Sequence, residues 1–104
     1  MNITLTGTQT RFYLGAPQHE KIQVYQVPTG RAASLTQAIV TNTTDGDAKF
    51  TLTVNTVDVL RDYIITAGES KILDLYVVLK DGDVVSLSQE TANALNVTLN
   101  GVVA

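Results

Sequence analysis

The sequence predicts an all-β protein, an antiparallel β-sandwich (Ig-like or jelly-roll-like) of about eight short strands. Fifteen threonines and thirteen valines among 104 residues favour strands, because β-branched side chains fit a pleated sheet and lose rotamer freedom in a helix. The segment Lys49–Asn55 alternates polar and apolar residues without a break, as a half-buried strand does. Turn signals recur between such segments at the spacing of a sandwich.

Alternation and turn residues together predict eight strands, near residues 3–6, 20–27, 32–43, 48–56, 58–66, 70–79, 83–88 and 95–103. In the sixth of these, Leu73, Leu75 and Val77 form a set of period two. No segment sustains a period of 3.6 over three turns, so no substantial helix is expected. The best candidate for a single helical turn is 89–93.

The chain has the length of one domain. Residues 20–104 are predicted to form the sandwich, and residues 1–19 an N-terminal arm or edge strand. Without any cysteine, neither a disulfide framework nor a thiolate metal site is possible. Stability therefore has to come from packing within the chain or from association with other chains.

The triplet Asp-Gly-Asp occurs twice, at residues 45–47 and 81–83. Two carboxylates around a glycine suggest either half of a metal site or a tight turn. A calcium loop needs further oxygen ligands at alternate positions, whereas Lys49 and Lys80 lie close to the two triplets. Asp-Gly between two alternating apolar segments is a strong hairpin signal. Both triplets are therefore predicted to be turns rather than metal ligands.

The inventory of catalytic residues is short. His19 is the only histidine, and it has no cysteine or nucleophilic serine motif around it. Asp58 and Asp62, with Arg61 between them, are better explained as a solvated charged face that discourages aggregation at a sheet edge. The sequence predicts a protein that is not an enzyme and has no catalytic, cofactor-binding or metal-binding residues.

The charge distribution and the apolar segments also exclude two classes of partner. The seven basic residues are spread almost evenly through a chain of net charge −3, so no basic face is expected for nucleic acid. The longest apolar stretches, such as Tyr76–Leu79, are too short to span a bilayer. The first residues lack the features of a signal peptide, so synthesis and retention in the cytoplasm are expected.

The N-terminal segment carries the predicted interface. Phe12 and Tyr13 are adjacent, and neighbouring residues of a strand point to opposite faces, so both are not expected to enter one core. Aromatic residues and arginine are enriched at interface centres. The predicted interface residues are Ile3, Leu5, Arg11, Phe12 and Tyr13. The alternative is that this segment seals the edge of its own sandwich.

From Ile22 onward the chain resembles a family of small β-sandwich modules in the virions of tailed bacteriophages. The pattern is Y-x-V-P-x-G, then a strand ending at Asn, then A-G-E-S, L-x-x-G-D and a closing N-V-x-x-x-G-V. The segments that carry it are Val24–Ala33, Ile39–Thr43, Ala67–Ser70, Val78–Asp83 and Asn96–Val102. Residues 1–19 lie outside the pattern.

The resemblance implies a non-enzymatic virion protein, foremost a capsid decoration or cement protein that reinforces the head lattice. A tail, neck or fibre component is the alternative, and a carbohydrate-binding module is a third. The implied partners are further copies of the chain, foremost in a homotrimer, and the major capsid protein or other virion proteins. The expected location is the virion, after synthesis in the host cytoplasm.

Overall fold

The computed structural model describes residues 7–17, 20–91 and 93–104. These residues form eight strands and no helix, so the predicted all-β fold is confirmed. The strands are β1 (Thr8–Gly15), β2 (Ile22–Gln26), β3 (Ala33–Asn42), β4 (Ala48–Val54), β5 (Val57–Ile65), β6 (Ser70–Leu79), β7 (Val84–Gln89) and β8 (Leu95–Val103).

Strands β2 to β8 each begin and end within two residues of the predicted bounds. The strand predicted at 3–6 lies outside the described residues, while β1 was not predicted as a separate strand. The single helical turn expected at 89–93 is not found among the residues described there. Gln89 ends β7, and the chain then bends so that the Ala94 amide donates to the Thr91 carbonyl at 3.3 Å.

The strands form two antiparallel sheets of four, in the orders β1-β8-β3-β6 and β2-β7-β4-β5. β1 pairs with β8, β2 with β7, β3 with β6 and β4 with β5. The two halves of the chain thus pair along their length as one long antiparallel ribbon, which closes at the Asn55–Thr56 turn. The ribbon folds over into the two sheets. This is jelly-roll connectivity, and it decides between the two sandwich types that the sequence left open.

The core lies between the two sheets and is filled by inward-facing side chains of both. Phe50, Leu52 and Leu87 from one sheet meet Leu35 and Leu99 from the other, and all five are essentially excluded from solvent. Burial of large aliphatic side chains is the main stabilising term in such a sandwich. No buried side-chain nitrogen or oxygen among the described residues lacks a hydrogen-bond partner.

Asn42 organises the connection that carries the chain from β3 to β4. Its side chain is buried, and Nδ2 donates to the carbonyls of Gly46 (2.8 Å) and Ile65 (2.9 Å). Its Oδ1 accepts from the amide of Thr44 (2.9 Å) and from the hydroxyl of the same residue (2.7 Å). One buried amide therefore satisfies backbone groups of the loop and of β5, which would otherwise carry a desolvation cost.

Candidate interaction surfaces

The predicted interface residues on β1 lie at a β-bulge. Arg11 pairs with Asn100 and Tyr13 with Leu99, so Phe12 is an extra residue on the β1 side of the ladder. A bulge breaks the alternation of side chains. Phe12 is accordingly buried, at 5% exposure, and Tyr13 is half-buried against the same core. The expectation that the two aromatic rings could not share one core was wrong.

The three residues of this segment have different environments. Phe12 belongs to the core of its own chain, and burial raises the pKa of the Tyr13 phenol. Arg11 is exposed on the outer face of the sheet. β1 is the edge strand of its own sheet, which was the alternative explanation of the segment. Ile3, Leu5 and His19 lie outside the described residues, and the interface itself stays a prediction.

The second Asp-Gly-Asp triplet forms a tight turn whose carboxylates accept backbone hydrogens. The Asp83 amide donates to the Lys80 carbonyl (3.1 Å), and Gly82 has a φ of 78°, the conformation that a type II turn requires at its third residue. Asp83 Oδ2 accepts from the Lys80 amide (2.8 Å), and Asp81 Oδ2 accepts from the Gly30 amide (3.0 Å). The Asp83 carboxylate therefore closes the turn itself, and the Asp81 carboxylate connects the turn to the β2–β3 loop.

The first triplet lies in the β3–β4 connection, where Asp47 Oδ1 accepts from the Ala67 amide at 3.2 Å. Both triplets are turn segments, but neither makes the hairpin that the Asp-Gly signal indicates. β3 and β6 belong to one sheet, whereas β4 and β7, the strands that follow the triplets, belong to the other. Within the described part of the chain, no three His, Cys, Asp or Glu side chains are grouped as a metal site would need.

The charged segment of β5 lies at the edge of the second sheet. Arg61 and Asp62 are exposed, while Asp58 accepts a hydrogen bond from the Thr53 hydroxyl (2.8 Å) and lies 3.8 Å from Lys21 Nζ. The pairing of β5 with β4 is interrupted twice, and Asp62 has a φ of 48°. Charges and irregular pairing blunt an edge strand against unwanted association, which agrees with the explanation drawn from the sequence.

A polar groove of about 440 Å³ crosses the outer face of the sheet that contains β1. Arg11, Asn100, Gln37 and Asp74 come from the four successive strands and follow one another in register across them. The Asn100 amide donates to Gln37 Oε1 at 3.2 Å, which fixes the centre of the row. The groove therefore presents a guanidinium, two carboxamides and a carboxylate side by side.

Large apolar side chains are exposed on β5 and β6, the edge strands of the two sheets on the same side of the sandwich. Those of β6 are Ile72, Tyr76 and Val78, exposed by 64%, 76% and 64%. Those of β5 are Val57, Val59 and Ile64. Each set lies on one edge strand, and exposed apolar side chains of this kind are typical of sites that contact other proteins.

The sequence reasoning did not identify these residues as a surface. The available signal was that apolar residues occupy both faces of 70–79. This signal did not identify a surface, because a strand buried on both faces gives the same pattern. Only the strand order places β6 at an edge.

No helix that could cross a membrane is present in the described ranges. Comparison of the chain with protein-family models and with curated proteins gives no match.

Proposed function

We propose that this chain is a non-enzymatic structural protein of a tailed-bacteriophage particle. Within the particle, we assign it to the head, as a decoration protein that reinforces the capsid lattice by bridging neighbouring subunits. The proposal is supported by the five segments between Val24 and Val102 that resemble virion sandwich modules. Jelly-roll domains are also a recurrent architecture of viral capsids, although a fold alone is compatible with many functions.

The observation that carries the proposal is the exposure of large apolar side chains on the two edge strands β5 and β6. A chain of 104 residues has a small core, yet it leaves six large apolar side chains of these two strands in solvent. Their transfer from water into a protein contact is favourable by about 25 cal/mol per Å² of apolar surface. A protein that functions in contact with neighbours in an assembly has a physical reason to keep such a surface.

The alternative location is the tail, the neck or a fibre of the particle. The same surface and the same resemblance are compatible with either location. The genes next to this one distinguish the two locations. A major capsid gene next to this one supports the head, and a tail-tube or fibre gene supports the alternative.

The direct test is to purify particles of the phage that encodes the chain, identify their proteins by mass spectrometry and locate this one by electron cryomicroscopy. The result expected is density for the sandwich in many copies on the head. Density on the tail or neck would support the alternative location. Absence of the chain from purified particles, when it is present in infected cells, would overturn the proposal.

A matched pair of variants tests whether the apolar surface contributes to particle binding. Val57→Lys adds a charge to an exposed apolar position of β5, and Thr56→Lys adds the same charge one residue earlier, in the exposed turn. Particles lacking the protein should take up the Thr56→Lys variant at the wild-type level and the Val57→Lys variant less. Equal uptake of both variants would show that Val57 is not part of the contact.

A second candidate function, carbohydrate binding, is favoured by the polar groove on the outer face of the β1 sheet. Carboxamide, carboxylate and guanidinium groups are suited to hydrogen bonds with the hydroxyls of a sugar. The groove has no aromatic residue in its lining, and an aromatic platform is what carbohydrate-binding modules usually provide. Binding on a glycan array that is lost in Asp74→Asn would support this function, and absence of any binding would remove it.

A further inference from the structure

β6 is apolar on both of its faces and has no strand beyond it in its sheet among the described residues. Exposure alternates along it without a break from Ile72 to Val78. The outward set contains Ile72, Tyr76 and Val78, with one carboxylate at Asp74. The inward residues of the strand, Leu73, Leu75 and Val77, pack against the core but are only half-buried.

On the other three edges of the described sheets the alternation of side-chain exposure is broken, which hinders strand addition. β1 has a bulge at Phe12, and β2 has only five residues with an irregularity between Gln23 and Tyr25. β5 carries two irregularities and the positive φ of Asp62. β6 is ten residues long. Its ladder with β3 has one register shift, between Leu35 and Gln37, but the exposure of its side chains alternates without a break across that point. Among the edges of the described sheets, it is the longest and the one whose exposure alternates without a break over seven residues, which favours pairing with another strand.

We propose that β6 pairs antiparallel with β6 of a second copy of this chain, about a two-fold axis that passes at Leu75. In this register Ile72 lies opposite Val78 of the second copy, and Asp74 lies opposite Tyr76. On the inner face Leu73 lies opposite Val77, and Leu75 lies opposite its own counterpart. A two-fold contact uses one patch on both subunits, so a strand that pairs with itself has to be self-complementary in this way.

The side chains select this register over its neighbours. Every aliphatic side chain from position 72 to 78 meets another aliphatic side chain, and the one carboxylate of this stretch meets its one phenol, whose O–H can donate to it. Moving the axis to Asp74 sets two carboxylates directly opposite each other, which is destabilising. Moving it to Tyr76 sets Ile72 opposite Lys80. Shifts by a single residue place outward side chains opposite inward ones.

Pairing in this register joins two four-stranded sheets into one continuous sheet of eight strands. It covers the half-buried leucines on the inner face and satisfies backbone groups of the edge. Such a pair closes on itself, so it predicts an even number of copies, in contrast to the homotrimer that the resemblance implies. The pairing stands independently of the proposed virion function, because it follows from β6 alone.

A single introduced cysteine tests the axis, because the chain has no other cysteine. In Leu75→Cys the two thiols lie directly opposite each other, with Cβ atoms about 5 Å apart, close enough for a disulfide after a small adjustment. In the control Leu73→Cys the two thiols are offset by four strand positions, about 13 Å. Under mild oxidation the Leu75→Cys variant should become covalently dimeric and the Leu73→Cys variant should not. Equal cross-linking of the two variants, or none in either, would overturn the pairing.

Charge reversal tests the register through exposed positions that do not threaten the fold. Ile72→Lys combined with Val78→Lys sets like charges opposite each other twice, so the dimer should dissociate to the 11.2 kDa monomer in sedimentation. Ile72→Lys combined with Val78→Glu sets opposite charges together twice and should restore dimerisation. Identical masses for the two double variants would contradict the register.

The outcomes separate this pairing from the proposed function. A dimer that cross-links through position 75 but never occurs in particles leaves the pairing standing and overturns the virion role. A particle-bound trimer in which position 75 does not cross-link would support the virion role and overturn the pairing.

Discussion

The rings of Phe12 and Tyr25 stack at a centroid distance of 4.2 Å with their planes 6° apart. Phe12 lies in β1 and Tyr25 in β2, so the stack joins the first strands of the two sheets along one side of the sandwich. Both residues adjoin interruptions of their ladders, between Arg11 and Tyr13 and between Gln23 and Tyr25. In a regular strand, one residue of each pair of sequence neighbours points outward. The bulges instead turn both rings toward the core.

We predict that Phe12→Ala destabilises the fold by about 3–5 kcal/mol, the usual cost of removing a buried phenylalanine ring. Leu14→Ala, two residues further along the same strand, removes an exposed side chain and should cost less than about 0.5 kcal/mol. Urea unfolding of the two variants measures the difference. Equal and small losses in both would mean that β1 does not belong to the core.

Gly101 is a position where the stack allows no side chain. A Cβ atom there would lie 2.7 Å from Cζ of Phe12 and against the carbonyl oxygen of Ser34. Gly101→Ala should therefore cost about 1–3 kcal/mol through overpacking. Gly46→Ala is the control, because nothing lies within 4 Å of its added Cβ, and its melting temperature should stay near that of the wild type. Equal melting temperatures of the two variants would contradict the close packing of Gly101 against Phe12.

Asn42→Ala should destabilise the protein by about 2–4 kcal/mol, because it leaves the loop and β5 carbonyls without their buried donor. Asn96→Ala removes an exposed asparagine from β8 and should be close to neutral. Thermal unfolding compares the two. A near-neutral Asn42→Ala would mean that water replaces the buried amide.

Acid should weaken the β6–β7 turn through Asp83. The backbone hydrogen bond from Lys80, followed by that from the Asn55 side chain, lowers the pKa of this carboxyl below its ordinary value. A lowered folded-state pKa contributes stability above the unfolded-state pKa of about 3.9, and this contribution is lost as the pH falls through the folded-state value. Asp83→Asn should lose less stability than the wild type on acidification through this range. Parallel stability curves from neutral pH to below pH 3 would contradict the assignment.

The sequence predicted the strands well because alternation is a local property. The segments 70–79 and 95–103 coincide with β6 and β8, since each has apolar residues spaced for a pleated sheet and turn residues at its ends. An edge strand within residues 1–19 was one of two predicted alternatives, but the extent of β1 was not predicted, because its bulge places Phe12 and Tyr13 on the same side. An extra residue in a ladder depends on the partner strand, which the local sequence does not specify.

The candidate surface could not be located from the sequence for a related reason. The Asp-Gly pairs at 45–46 and 81–82 were recognised as turns, but a turn sequence does not reveal whether the next strand stays in the same sheet. Here both following strands cross to the other sheet. The crossings place β6 at an edge, and this position leaves its free edge and its outward apolar side chains available for contact.

The most direct test of the central claim, that β6 is the edge through which this protein contacts another copy, is residue-resolved amide hydrogen exchange at increasing protein concentration. Pairing should slow exchange of the outward-pointing amides of β6, while amides of the irregular edge strand β5 remain unchanged. Protection in β6 should rise with concentration in the wild type and not in the variant that combines Ile72→Lys with Val78→Lys. Exchange in β6 that is fast at every concentration and equal in the two proteins would contradict the claim.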